Sequence, residues 1–314
     1  MSADGKLPVD LVTGFLGSGK TTLISSLLRH PDMGETAVIV NELGEVGIDH
    51  HLLRRVDERT VLLSSGCLCC SLRGDLADEL RDLLGRRERG EIPAFRRVVV
   101  ETTGLAEPAP IIGTLLSEPV VRHHYRLERV VATVDAVHGL PPESVKQAAA
   151  ADTLVVTKAD LAETGGLEAE LARLNPAARI LAVAFGEVHP ERLFGGRERD
   201  LREIVPAESP HGHDGVVALC LVLDEPLDWT AFGIWLTMLL QSRGEDVLRV
   251  KGLLDVGGPG PLLLNGVQHA VHPPVHLDAW PDEDRRSRIV FIGRGIERSA
   301  LEDSLAAFIR ALAQ

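Results

Sequence analysis

The chain has 314 residues, with 33 Lys and Arg against 46 Asp and Glu for a formal net charge of −13. That balance argues against a general nucleic-acid-binding surface, which needs clustered positive charge, and no apolar run reaches the roughly 18 residues that span a membrane. A composition of 45% hydrophobic and 25% charged residues suits a globular protein of about two domains, and 4% aromatics leaves aliphatic side chains to fill the core. Residues 1–10 carry no apolar secretory core, so the expected compartment is the cytoplasm. There the four cysteines stay reduced, and clustered ones point to metal or redox chemistry rather than disulfides.

Residues 8–12 form a short apolar run that reads as a buried strand. A loop containing Gly14, Gly17, Ser18 and Gly19 follows, then Lys20, Thr21 and Thr22. Gly14, Gly19, Lys20 and Thr21 satisfy the pattern G-x-x-x-x-G-K-[ST], and Leu23, Ile24, Leu27 and Leu28 then recur at helical spacing. A strand feeding a glycine loop that opens a helix presents backbone N–H groups and a positive helix end to a phosphate chain. In such a loop Lys20 reaches the β- and γ-phosphates, and the Thr21 hydroxyl holds Mg2+.

A second strand is expected over residues 36–40. It runs into a segment with three acids, Glu42, Glu45 and Asp49, and two glycines, followed by His50 and His51. Its place after the first helix is that of a loop ordered by a γ-phosphate and Mg2+. Residues 56–63 read as another strand. Gly66, Cys67, Leu68, Cys69 and Cys70 come next, then an amphipathic helix through Leu72, Leu76, Leu80, Leu83 and Leu84. Thiolates are soft ligands for Zn2+, Cu+ or an iron–sulfur cluster. Three of them fall one short of a closed tetrahedral site, so a further ligand must come from elsewhere, and an open position suits a site that releases its metal. Cys220, alone in an apolar run, reads as a small core residue.

Residues 98–101 form a buried strand that ends in Glu101. An acid there sits at the carboxyl edge of a parallel sheet, where such sheets bind ligands. Glu101 is therefore a partner for Mg2+ or its water, and Gly104 lets a loop approach the γ-phosphate. Two more strands are expected over residues 130–134 and 153–156. The second ends in Thr157-Lys158-Ala159-Asp160, whose final carboxylate can accept the ring N–H and the amino group of guanine, a donor pair adenine lacks. Residues 186–215 are rich in Gly, Pro and charge, hold His189, His211 and His213, and read as a domain boundary; His211-x-His213-Asp214 is either a solvated linker or a transient metal site. Beyond it, strands over 216–223, 247–256, 262–264, 267–271 and 289–292, with helices over 229–241 and 301–312, describe a helix-covered antiparallel sheet.

With these pieces in place the sequence resembles the CobW-type metal-chaperone GTPases. The shared elements are the Gly14–Thr21 loop, the acidic segment, the Cys67-x-Cys69-Cys70 run, Glu101-Thr102-Thr103-Gly104 with Glu107-Pro108, the Thr157–Asp160 tetrapeptide, Arg249-Val250-Lys251-Gly252 and Phe291-Ile292-Gly293-Arg294-Gly295. The resemblance implies a P-loop α/β domain with a mostly parallel sheet over residues 1–195, a linker over 196–215 and an α+β domain over 216–314. It implies GTP hydrolysis coupled to delivery of Zn2+, with Co2+ or Ni2+ as further candidates, to client metalloproteins. Lys20, Thr21 and Glu101 would do the catalytic work. Gly14, Gly17, Ser18, Gly19, Thr22, Asp49, Gly104, Thr157, Lys158 and Asp160 would help hold GTP and Mg2+. Cys67, Cys69 and Cys70, with Glu42 or Glu45, would hold the cargo. No nucleic acid or membrane partner is expected, and self-association stays open. Two rival readings are a nucleotide-dependent factor in cobalamin or other metallocofactor assembly and a metal buffer without turnover. Thr157 departs from the Asn that GTPases often carry there.

Overall fold

The computed structural model describes residues 5–41, 61–65, 74–195 and 215–312. Contacts divide the chain into two units, Met1–Glu168 with Arg179–Gly196, and Ala169–Ala178 with Arg197–Gln314.

The first unit is organised by seven parallel strands: β1 (Leu7–Gly14), β2 (Thr36–Asn41), β3 (Val61–Ser65), β4 (Arg97–Glu101), β5 (Tyr125–Asp135), β6 (Thr153–Thr157) and β7 (Arg179–Ala182). Their spatial order is β3-β2-β4-β1-β5-β6-β7, and every pairing is parallel. Strands covered on both faces need near-continuous apolar runs. That is how β1, β4 and β6 read, and Val9, Leu11, Val12, Val98, Leu154, Val155 and Val156 are buried. After β1 the chain passes to β2 and β3 on one side, and later to β5, β6 and β7 on the other. β1 is therefore the topological switch point, and the crevice beyond its carboxyl end is where this architecture binds ligands.

The connecting helices are α1 (Lys20–Leu27), α2 (Gly74–Glu88), α3 (Pro108–Ser117), α4 (Pro119–His124), α5 (Val145–Ala150), α6 (Gly165–Leu174), whose residues from Ala169 group with the second unit, and α7 (Pro190–Phe194). In α1 the predicted apolar stripe Leu23, Ile24, Leu27 and Leu28 is buried against Val12, Val38, Val99, Val131 and Val155.

Several elements differ from the sequence reading. β5 begins five residues earlier than expected, because Arg126 and Glu128 pair with each other on the less buried side of the strand. β3 begins at Val61, and residues 56–60 lie outside the described set. The segment after residue 186 is not uniformly irregular, since Pro190–Phe194 forms α7, with the side chain of His189 accepting the Glu191 N–H at its start.

The second unit pairs β8 (Val216–Leu223), β9 (Val247–Leu254), β10 (Leu262–Val267), β11 (Ala270–Val271), β12 (Val275–His276) and β13 (Ser287–Arg294) in the order β11-β10-β9-β13-β8, with β12 on β10. All these pairings are antiparallel. α8 (Trp229–Arg243) is capped by Asp228, which accepts from the N–H groups of Thr230 and Ala231. It packs Phe232, Trp235, Leu236 and Leu240 into a core shared with Leu301 and Leu305 of α9 (Arg298–Leu312). The expected strand over 267–271 is instead a hairpin, turning at Gln268 with φ 50°. Cys220 is buried in β8, and burial raises its thiol pKa, which agrees with a core residue. The two family-like segments of this unit are neighbouring strands, with Gly252 opposite Ile289 and Val250 opposite Phe291. No helix among the described residues is long and apolar enough to cross a membrane.

Candidate functional site

The site grows from the carboxyl end of β1. Gly14 closes the strand at φ 140°, and a Cβ there would lie 2.2 Å from Thr133 Oγ1 and 2.5 Å from Thr133 O. Only glycine fits, because both strain and collision oppose a side chain. Gly19, at φ 87°, directly precedes α1. The Lys20 side chain is buried, and its Nζ donates to Gly14 O at 2.9 Å and Phe15 O at 3.1 Å, which holds the ammonium against the loop.

The loop is tied to the sheet by hydroxyls. Ser18 Oγ and Thr133 Oγ1 lie 2.6 Å apart. Thr157 Oγ1 donates to Ser18 O at 2.8 Å, with Val134 O as a longer second acceptor. The departure from Asn at residue 157 thus leaves a strut between β6 and the glycine loop intact, built from a hydroxyl.

On the β4 side, Thr21 Oγ1 donates to Glu101 Oε1 at 2.7 Å. Glu101 is 2% exposed, so a carboxylate faces the first turn of α1 from a nearly dry position. Thr102 donates from Oγ1 to Thr13 Oγ1 at 3.0 Å and from its amide to Val12 O, which holds the β4 exit beside the β1 exit. Gly104 lets the two loops touch, since a Cβ there would lie 2.5 Å from the Leu16 amide nitrogen. Gln147 of α5 donates to Gly104 O and Ala106 O at 3.1 Å each and fixes that turn.

On the β6 side, Lys158 has φ 57° and its Nζ donates to Asp135 Oδ2 at 2.5 Å. Asp135 also takes the Val137 N–H at 2.8 Å, and its Oδ2 lies 2.7 Å from His138 Nδ1. Burial alone would raise the Asp135 pKa, but Lys158, His138 and the Val137 amide together hold the carboxyl below its ordinary value. Asp160 is exposed at the mouth of the loop after β6.

Lys20, Thr21, Glu101 and Gly104 are thus brought together around β1 and β4, with Thr157, Lys158 and Asp160 on the β6 side of the same edge. Asp49, Glu42, Glu45, Cys67, Cys69 and Cys70 lie outside the described residues. Two parts of this edge were not read from the sequence. One is the Asp135–Lys158 pair. Its only sequence signal is an acid closing a strand, the same signal that marks Glu101. The other is a rim of exposed apolar side chains, Leu16, Leu105, Val137, Leu161 and Phe185, one in each loop that follows β1, β4, β5, β6 and β7. Phe185 belongs to a turn whose Gly186 packs on the backbone of Thr22 and Leu23.

Residues 8–182 match the CobW/HypB/UreG nucleotide-binding domain, and residues 216–309 match the cobalamin synthesis protein cobW C-terminal domain. The zinc chaperone YjiA of Escherichia coli (strain K12) is 36% identical over 300 residues, covering 91% of this chain and 94% of that protein. The zinc chaperone CobW of Pseudomonas aeruginosa is 30% identical over 351 residues, covering 97% and 92%. The crystal structure of the Zn(II)-bound YjiA GTPase from E. coli is similar at a TM-score of 0.72 and 31% identity, covering 96% of this chain and 99% of that one. Because the matches run in chain order through the glycine-loop unit and then the antiparallel-sheet unit, the chain belongs to the CobW/HypB/UreG family, in the form that carries the cobW C-terminal domain.

Proposed function

We propose that this chain hydrolyses GTP and couples hydrolysis to the handling of Zn2+, which it passes to a client metalloprotein. The observation that carries this reading is the register of three neighbouring strands. Val40 of β2 is opposite Glu101 of β4, and Asn41 of β2 is opposite Ser65 of β3. The chain leaves β2 directly into Glu42, and it leaves β3 two residues before Cys67. The carboxyl ends of β3, β2 and β4 therefore lie side by side, on neighbouring strands roughly 4.8 Å apart. This supports the reading because the cysteine run and the acidic segment follow the first two in sequence while Glu101 closes the third.

The loop amides and Lys20 would bind and orient the β- and γ-phosphates, and preorganised charge of this kind is the main catalytic resource in phosphoryl transfer. Thr21 Oγ1 and the Glu101 carboxylate are hard oxygen donors suited to Mg2+. Bound there, Mg2+ would neutralise charge on the phosphates. Asp160 would read guanine, with Lys158 held in place by Asp135. Cys67, Cys69 and Cys70 would carry Zn2+, or Co2+ or Ni2+, with Glu42 or Glu45 as an added oxygen ligand and Asp49 near the nucleotide. The relatives named zinc chaperones support zinc as the cargo. A cytoplasmic setting fits cargo thiolates that must stay reduced.

The test is competition for Zn2+ against a chromophoric chelator with no nucleotide, with GDP, and with a non-hydrolysable GTP analogue plus Mg2+. A roughly 5–150-fold difference in zinc affinity between the GTP-like and GDP states is expected, the ordinary span of coupling between two sites. Equal affinity in all three states would overturn the coupling.

A further inference from the structure

Two tripeptides of the same kind face each other in the first unit, His30-Pro31-Asp32 after α1 and His189-Pro190-Glu191 after β7. In each, the histidine caps a short helix: His30 Nδ1 accepts the Asp32 N–H at 3.2 Å, and His189 Nδ1 accepts the Glu191 N–H at 3.3 Å. The two rings meet edge to face, with centroids 4.4 Å apart and planes at 70°. Asp32 Oδ2 lies 3.5 Å from His30 Nδ1. One ligand atom from each of His30, Asp32 and His189 lies within 4.8 Å of the other two.

We propose that His30, Asp32 and His189 form a second site for a divalent transition metal of the Zn2+ type, separate from the cysteine run. Ligand atoms about 2.0–2.1 Å from a tetrahedral zinc stand roughly 3.4 Å from one another. Closing from the observed spacing therefore needs side-chain rotation and no movement of the sheet. Two imidazoles and a carboxylate suit zinc, and without a thiolate they do not favour Cu+. Each ring gives up at most one long cap bond, whether the metal takes Nδ1 directly or takes Nε2 after the ring proton moves to Nδ1. Asp32 and His189 are exposed, so a fourth coordination position is left open to water or an exchanging ligand.

The site would lie at the amino edge of the parallel sheet, beside the start of β2, whereas the cysteine run follows the carboxyl end of β3. It would join the end of α1, the helix that begins at Lys20, to the segment that follows the Phe185–Gly186 turn. The inference does not depend on GTP hydrolysis or on cargo transfer.

The experiment uses the full chain with Cys67→Ser, Cys69→Ser and Cys70→Ser, so that thiolates do not compete, and titrates Zn2+ against a chromophoric chelator. One zinc per chain is expected, weakened at least tenfold by His30→Gln and by His189→Gln, and less by Asp32→Asn. One equivalent of Zn2+ should also shift the imidazole NMR signals of His30 and His189 in the unsubstituted histidine background, a readout that does not depend on how the variants fold. GTP hydrolysis by the His30→Gln chain should match that of its parent. Absence of zinc from the cysteine-free chain would overturn the site. So would zinc whose affinity both glutamine variants leave unchanged, or imidazole shifts confined to other histidines.

Discussion

The two edges of the seven-stranded sheet use the same backbone polarity for opposite chemistry. At the carboxyl edge the loops open into helix N-termini, and the groups gathered there are amides, the hydroxyls of Ser18, Thr21, Thr102 and Thr157, Lys20, and the carboxylates Glu101 and Asp135, which accept from Thr21 and Lys158. At the amino edge helices arrive by their C-termini, and the groups gathered there include His30, Asp32 and His189. Aligned peptide dipoles place partial positive charge at the first edge and partial negative charge at the second. A parallel sheet with helical crossovers is thus already sorted into an anion-binding side and a cation-tolerant side before any side chain is chosen.

The largest way to break this contrast is to remove the fixed cation of the carboxyl edge. Lys20→Ala should lower GTP hydrolysis about 100-fold or more, in line with the loss of one preorganised charge-stabilising group, while zinc binding at either edge persists. Steady-state phosphate release and chelator competition on the same preparation check both halves.

Gly104→Ala tests how tightly the two loops of that edge are fitted. The added Cβ would collide with the backbone nitrogen of Leu16, so the β1 loop must move. A loss of about 1–3 kcal/mol in stability is expected from such overpacking, with weaker nucleotide binding. Leu16→Ala should not rescue it, because the closest contact is with the main chain.

Asp160→Ala should weaken GTP by about 1–3 kcal/mol through unpaired guanine donors, and Asp160→Asn should shift preference toward xanthosine triphosphate. A competition titration in which the parent chain binds ATP as well as GTP would remove Asp160 from base reading.

The last test concerns the interior of β1, away from both edges. Asp10 is fully buried in β1, and burial pushes its pKa from 3.8 up to about 7, only partly opposed by Arg97, whose Nε lies 3.3 Å away. The folded chain keeps this proton to near neutrality, whereas the unfolded chain releases it near its ordinary value. Asp10 therefore costs stability as pH rises from about 4 to 7, by up to roughly 1.4 kcal/mol per pH unit, and the loss levels off above 7. Asp10→Asn should remove that slope when urea midpoints of the two chains are compared at pH 5 and pH 7.5.

How much of this could be read from the sequence follows from how local each signal is. β1, the glycine loop and α1 were legible because strand, loop and helix patterns follow one another without a gap, and Leu23, Ile24, Leu27 and Leu28 are buried as their spacing implies. Glu101 was legible because an acid closes an apolar run. α5 was not, since an alanine-rich segment has no apolar period to detect, although Val145 and Ala148 to Ala151 are buried. The first half of β5 was hidden by Arg126, Glu128 and Arg129, the last of them buried. Phe185 gave no signal, because an aromatic residue beside a glycine reads equally as core or turn. His30 and His189 are far apart in the chain, and only the pairing of β1, β5, β6 and β7 carries the second toward the first.

The position of β3 has a further consequence for the residues that follow it. Among the described residues it is one of two edge strands, with β7 at the other side, and it pairs with β2 alone, whereas β1 is hydrogen-bonded on both sides. Local opening draws on the least supported elements first, so one edge ladder can separate while the rest of the sheet stays closed. Amide hydrogens of Val61–Ser65 should exchange well before those of Leu7–Gly14 under native conditions. If the cysteine run that follows two residues later carries the cargo as proposed, it hangs from an edge strand, whose opening leaves the ladders around β1 closed.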